Sequence, residues 1–155
     1  MKWIVLLALF LITIKASADS LYLVRKDFHG IETEDKLEAF LHKYKSFKDV
    51  RAIPYMEAAY MQKAKFAINP IRKLNYFNKG KEALEKFIKQ HPRSIEARYV
   101  RLLVQSEVPG FLGYDGHMQG DKEFILKELE TCSLPEDYKK IIRYNIGNIS
   151  KNNGS

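Results

Sequence analysis

The sequence predicts an all-α fold: about six helices, stacked as antiparallel αα-hairpins, in one domain that follows a cleaved signal peptide. Apolar residues recur at helical spacing in successive segments between Thr33 and Ile149. Proline, asparagine and serine stand where helices would begin or end, and the connections between most segments are short. With 155 residues, of which 46% are hydrophobic, the chain is long enough for one proper core.

The first 18 residues have the pattern of a secretory signal. Lys2 precedes the uncharged stretch Trp3–Ile14, and Lys15 is followed by the small residues of 16–18. Twelve residues make about 18 Å of helix, which is too short for a hydrocarbon core of about 30 Å. We therefore expect cleavage after Ala18, a single helical domain over 19–155, a secreted or periplasmic location and no membrane-spanning segment.

Two helices are predicted in the first half of this domain. Before them, the short alternating piece 21–24 could be a strand or the start of a helix, and the sequence leaves both open. A helix over about 34–46 is indicated by apolar residues at spacings of three and four: Leu37, Phe40, Leu41 and Tyr44. A second, over about 54–68, opens at Pro54 and is rich in small and adaptable residues: Met56, Ala59, Tyr60, Ala64 and Ala67.

The third helix is the longest predicted element. Asn69 is expected to cap it, Pro70 to stand at its first position, and His91-Pro92 to end it near Gln90. Three cations repeat at seven-residue spacing beside its apolar arc: Arg72, Lys79 and Lys86. We call these three residues the cation line.

The fourth helix, capped by Ser94 and running to about Ser106, carries a polar stripe on an otherwise apolar surface. Arg98, Arg101 and Gln105 share it at spacings of three and four. Two interpretations stay open, because a buried charge needs a partner. Either internal carboxylates such as Glu57, Glu107 or Asp115 pair with the arginines, or the arginines bind an anionic ligand.

The segment 108–121 contains four glycines and one proline, so regular structure is not expected over most of it. Its polar residues form the nearest approach to a chemical constellation in the chain: Tyr114, Asp115, His117 and Asp121. One nitrogen and two carboxylates could attract a metal ion, but the spacing matches no metal motif with a mechanistic basis. We expect a packed structural loop, without a metal ion or a cofactor.

Two more helices complete the fold. Asp121 is predicted to open the fifth, which ends near Cys132, and Ser133-Leu134-Pro135-Glu136 is predicted to be the capping box of the sixth. The buried face of the sixth helix is expected to comprise Tyr138, Ile141, Ile142, Ile146 and Ile149. Because Cys132 is the single cysteine, a disulfide framework within the chain and a Cys-based zinc site are excluded.

The charge is concentrated in the middle of the chain. Residues 63–101 contain eleven basic and three acidic side chains, whereas the segments on either side are weakly acidic. Such a field attracts an anionic partner, although lysines on a solvated helix face produce the same pattern. Because the protein is expected to be exported, no nucleic-acid partner is expected.

Part of the sequence resembles known repeat proteins. Gly80-x2-Ala83-x3-Phe87, then Pro92 and Ile95-x-Ala97, is similar to the second helix of a tetratricopeptide-type repeat, its terminal proline and the next first helix. Residues 55–130 also resemble a group of small exported bacterial proteins of unknown function. The first resemblance implies a helical-repeat bundle that binds other molecules, and the second implies no activity, ligand or catalytic residue.

Two functions therefore remain. The favoured one is a non-catalytic interaction module outside the cytoplasm that binds an acidic protein, peptide or surface polymer, since no catalytic motif is recognised. The alternative is a small ligand-binding protein or hydrolase, in which Arg98 and Arg101 clamp an anion near His117. The oligomeric state stays open.

Overall fold

The computed structural model describes residues 21–152, and this part of the chain is all-helical. The predicted signal peptide and its cleavage site after Ala18 lie outside the described residues. The described part divides into two compact units, one ending at Lys81 and one beginning at Glu82. The prediction of one domain over 19–155 stays a prediction.

The first unit contains α1 (residues 21–29), α2 (Glu34–Tyr44), a 3-10 turn (Val50–Ala52), α3 (Ile53–Phe66) and the start of α4 (Pro70–Gln90). Residues 21–24, for which the sequence allowed a strand or a helix, thus belong to helix α1. α2 packs against α3, and their shared core includes an aromatic cluster. The ring of Phe28 lies 6.1 Å from that of Phe40 and 5.3 Å from that of Tyr55.

Caps explain where the helices of this unit begin. The hydroxyl of Thr33 accepts a hydrogen bond from the Lys36 amide, which satisfies a free donor in the first turn of α2. At the start of α4, Oδ1 of Asn69 accepts from the amides of Ile71 and Arg72, and Pro70 stands at the first position. The predicted starts of α2 and α4 and the predicted end of α4 near Gln90 are confirmed, whereas α2 and α3 each end two residues earlier than predicted.

Gly80 allows α3 and α4 to approach closely. A Cβ at this position would lie 2.7 Å from the Glu57 carbonyl oxygen and would also meet the Met61 side chain. A side chain at residue 80 would therefore push the two helices apart.

The second unit contains the rest of α4, α5 (Ile95–Glu107), a 3-10 turn (Gly110–Leu112), α6 (Met118–Glu128) and α7 (Glu136–Asn152). α5 packs closely against α6, and Ser94 caps α5 by accepting a hydrogen bond from the Ala97 amide, as predicted. Tyr99 is fully buried, and its hydroxyl accepts a hydrogen bond from the Asn145 side chain of α7.

Two predicted helix starts are wrong. α6 begins at Met118, three residues before Asp121, so Asp121 lies in its first turn instead of opening it. α7 begins at Glu136, and the Pro135 carbonyl oxygen accepts from the Lys139 amide, so Ser133 lies too early in the chain to be the cap. In both places glycine or proline next to the helix made the boundary ambiguous.

The structure has seven α-helices over 21–152, against about six expected. Of the helices in this range, none is long and apolar enough to span a membrane.

Candidate functional site

The polar stripe of α5 is the centre of a charged network in the second unit. Arg101 and Gln105 are buried, with 4% and 3% of their surface exposed, whereas Arg98 is half-buried. Because α5 packs against α6, the stripe faces the acidic side chain of Asp121, which is 1% exposed.

Asp121 binds both arginines. Nε of Arg101 donates to Oδ2 at 2.6 Å, and the second terminal nitrogen of Arg101 donates to Oδ1 at 2.7 Å. Arg98 donates to the same Oδ1 at 3.0 Å. A carboxylate that accepts two parallel bonds from one guanidinium is held in a specific orientation, so Asp121 positions both side chains of the stripe.

Glu85 of α4 completes the network. Its Oε2 accepts a hydrogen bond from Arg101 at 2.7 Å, and its Oε1 accepts one from the Tyr114 hydroxyl at 2.5 Å. Two cations thus face two anions, so the cluster has no formal excess charge at neutral pH. The arginines are paired inside the fold, as one interpretation of the sequence anticipated, but their partners are Asp121 and Glu85 instead of Glu57, Glu107 or Asp115.

The electrostatics of the network favour the charged form of Arg101. Burial alone would lower the pKa of Arg101, but the hydrogen bonds and negative charges of Asp121 and Glu85 outweigh it and raise that pKa above its ordinary value. Burial and the bond to Glu85 raise the pKa of Tyr114, so its hydroxyl stays protonated and donates.

Arg98 is held on three sides. Besides Asp121, its Nε donates to the Pro92 carbonyl oxygen at 2.9 Å, and its guanidinium carbon lies 4.3 Å from the centre of the Phe124 ring. The aromatic face attracts the cation, and the apolar ring covers it from solvent. This side chain is therefore fixed as a structural cation.

Gln105 stands apart from the network. Both amide atoms of its buried side chain lack a hydrogen-bond partner among the described residues. An unpaired buried amide costs about 1–3 kcal/mol, so an apolar side chain of similar shape is expected to stabilise this position.

The segment 108–121 has a buried part and an exposed part. Tyr114 is 5% exposed, and Gly113 before it has a φ of 59°, a left-handed conformation that glycine adopts without strain. Asp115 and His117 are exposed, and neither joins the Arg98–Arg101 network. Within the described range, no three His, Cys, Asp or Glu side chains are close enough together to hold a metal ion.

All three residues of the cation line are exposed on α4. In the part of the chain that the structure describes, Arg72, Lys79 and Lys86 make no ion pair, in contrast to Arg98 and Arg101. Their charges are available to solvent or to a partner.

Glu85 is the member of the charged network that the sequence analysis did not identify. It lies three residues before buried Ile88, at the border of the apolar arc of α4, on a helix that has six basic and only two acidic residues. A rare carboxylate beside a buried face was the available signal.

Comparisons with known proteins add no relative: no family model, no curated protein and no solved structure matches the chain.

Proposed function

We propose that the protein is a non-catalytic interaction module, exported from the cytoplasm, that binds an acidic protein, peptide or surface polymer through the cation line of α4. In this proposal the helices stack as antiparallel αα-hairpins of the tetratricopeptide type. The observation that carries it is the contrast between two sets of cations. The arginines of the α5 stripe are neutralised by Asp121 and Glu85, whereas the cation line is exposed and makes no ion pair among the described residues.

This contrast also disfavours the alternative of an anion clamp. A ligand at Arg101 would have to displace two carboxylates that already accept its hydrogen bonds. His117, the proposed base of that alternative, is exposed and makes no side-chain hydrogen bond or ion pair within residues 21–152.

The surrounding sequence supports an anionic partner. Residues 58–81 contain six basic side chains and no acidic one, so Arg72 and Lys79 stand in a field of one sign. A field of one sign accelerates the approach of an oppositely charged partner and makes the affinity depend on salt.

The test is a titration with two probes, poly-L-glutamate and heparin. The protein used is the chain from residue 19, which contains all of the described residues. The variant Arg72→Glu/Lys79→Glu/Lys86→Glu is expected to bind at least about tenfold more weakly than the parent. The matched control is Lys45→Glu/Lys48→Glu/Lys140→Glu, which changes the net charge equally at three other exposed lysines. The affinity of this control for either probe is expected to fall by no more than about threefold.

The choice of probe distinguishes an acidic polypeptide from an acidic polysaccharide. Equal losses of affinity in the two triple variants would show that only net charge matters and would overturn the cation line as the binding site. If the parent bound neither probe, the proposal of an acidic partner would be overturned.

A further inference from the structure

Large apolar side chains at the corner between α3 and α4 are exposed and do not pack in the core. Ile68, in the connection, is 96% exposed, and Ile71, in the first turn of α4, is 70% exposed. Leu74, three residues later on the same side of α4, is 46% exposed. Several large apolar side chains exposed within seven residues of the chain are a mark of a contact surface.

This corner is a preorganised structure. The Ala67 amide donates to the Lys63 carbonyl oxygen at the end of α3, and the Asn69 side chain caps α4 immediately afterwards. Pro70 restricts the backbone between the two isoleucines. The backbone that carries the two side chains is therefore already ordered before a partner binds, which lowers the entropy cost of binding.

The chain on both sides of the corner is basic. Lys65, Arg72 and Lys73 are exposed next to the isoleucines, and no acidic residue occurs between Glu57 and Glu82. An apolar tip within a basic collar is complementary to a surface that is apolar beneath an anionic layer.

We propose that the α3–α4 corner inserts Ile68 and Ile71 into the interface of an anionic lipid surface, with the basic collar at the level of the headgroups. Ile68 is touched by almost nothing of its own chain, so its occupant must surround it. A fluid lipid interface does so without a matching pocket, and its anionic headgroups attract the basic collar. The proposal adds a binding surface that shares Arg72 with the cation line, but it rests on the exposed isoleucines and not on the function proposed above.

The sharpest test uses tryptophan fluorescence. The single tryptophan of the sequence is Trp3, so the chain from residue 19 has none, and Ile71→Trp introduces one reporter at the corner. With vesicles of phosphatidylglycerol and phosphatidylcholine, we expect a blue shift of its emission and quenching by brominated acyl chains. Phe111→Trp, at a residue that is 87% exposed in the other unit, is the matched control and is expected to show neither.

Vesicle cosedimentation separates the apolar and the charged contributions. Ile68→Ser/Ile71→Ser is expected to reduce partitioning at least about tenfold, whereas Phe111→Ser/Tyr144→Ser, which also removes two exposed apolar side chains, is expected to preserve it. Lys65→Gln/Lys73→Gln is expected to weaken binding to the anionic vesicles, and pure phosphatidylcholine vesicles are expected to bind the parent less. Because neither isoleucine is buried, circular dichroism should show all variants folded.

Three results would overturn the proposal: no blue shift of the Ile71→Trp emission with anionic vesicles, equal losses in the two serine variants, or a blue shift that depends on protein concentration without vesicles. The last would identify a second copy of this chain as the occupant of the corner. The serine variant retains the cation line, so its binding to poly-L-glutamate reports on the other proposal independently.

Discussion

The guanidinium of Arg101 on α5 binds the carboxylate of Asp121 on α6 through two hydrogen bonds, of 2.6 and 2.7 Å. Both side chains are almost completely buried, with exposed fractions of 5% and 1%. The pair thus joins the two helices that pack most closely in the second unit. A buried pair of this kind favours this arrangement of the two helices, because an arrangement that separated the two side chains would leave a charge unpaired in a medium of low dielectric constant.

Removal of one partner of this pair should be strongly destabilising. Asp121→Ala leaves Arg101 buried with Glu85 as its remaining anion, and we expect the free energy of unfolding to fall by about 3–5 kcal/mol. Urea denaturation measures this change. The control Asp115→Ala, at an exposed residue in the same segment, should change it by no more than about 0.5 kcal/mol. Similar losses in both variants would contradict the structural role of Asp121.

The buried tyrosines predict a loss of stability at high pH. Burial raises the pKa of Tyr99 and of Tyr114 above the ordinary value of 10.0, and for Tyr114 the bond to Glu85 raises it further. The unfolded chain therefore releases these protons at a lower pH than the folded chain. The stabilisation is complete below about pH 10 and decreases as the pH rises further.

Urea denaturation between pH 8 and pH 11 tests this dependence. Tyr114→Phe should lower the free energy of unfolding at neutral pH by about 1.5–3 kcal/mol, because the charged Glu85 loses a hydrogen bond. It should also make the decline above about pH 10 shallower than in the parent. Parallel curves for parent and variant would contradict the assignment.

The unpaired amide of Gln105 predicts a stabilising substitution. Gln105→Met retains the approximate shape of the side chain and removes the buried polar atoms that lack partners. We expect the free energy of unfolding to rise by about 1 kcal/mol. Gln90→Met, at an exposed position, should stay within about 0.5 kcal/mol of the parent. A clear loss of stability in Gln105→Met would indicate that a buried water molecule binds this amide.

Two glycines in helices should respond in opposite directions to alanine. At Gly80 the new Cβ would meet the Glu57 carbonyl oxygen and Met61, so we expect a loss of about 1–3 kcal/mol. At Gly147 in α7 nothing lies within 4 Å, so the helix propensity of alanine should add about 0.5–1 kcal/mol. Thermal denaturation of both variants measures the difference. The same sign at both positions would contradict the close approach at Gly80.

The helix bounds predicted from the sequence are correct where neighbouring residues decide them. The bounds of α4 were predicted because Asn69 and Pro70 form a cap and first turn from neighbouring residues, and Ser94 caps α5 by the same local geometry. The prediction was inaccurate at α6, where His117 makes no side-chain capping bond and Gly116 and Gly120 obscured the start.

Only part of the candidate site could be predicted from the sequence. Helical periodicity placed Arg98, Arg101 and Gln105 on one stripe, and the cost of burying charge predicted carboxylate partners. Which carboxylates these are depends on contacts between residues that lie 16 and 20 positions apart in the chain. Periodicity within one helix contains no information on such contacts.

Periodicity along single helices was enough to predict that the described part of the chain is helical, that α4 carries a line of cations and that α5 carries a polar stripe. The packing between helices was needed to show that Asp121 and Glu85 neutralise the stripe, that Gln105 has no partner among the described residues and that Ile68 and Ile71 are exposed. The physical reason is that burial and pairing are properties of the packing between helices, which residues distant in the chain determine together.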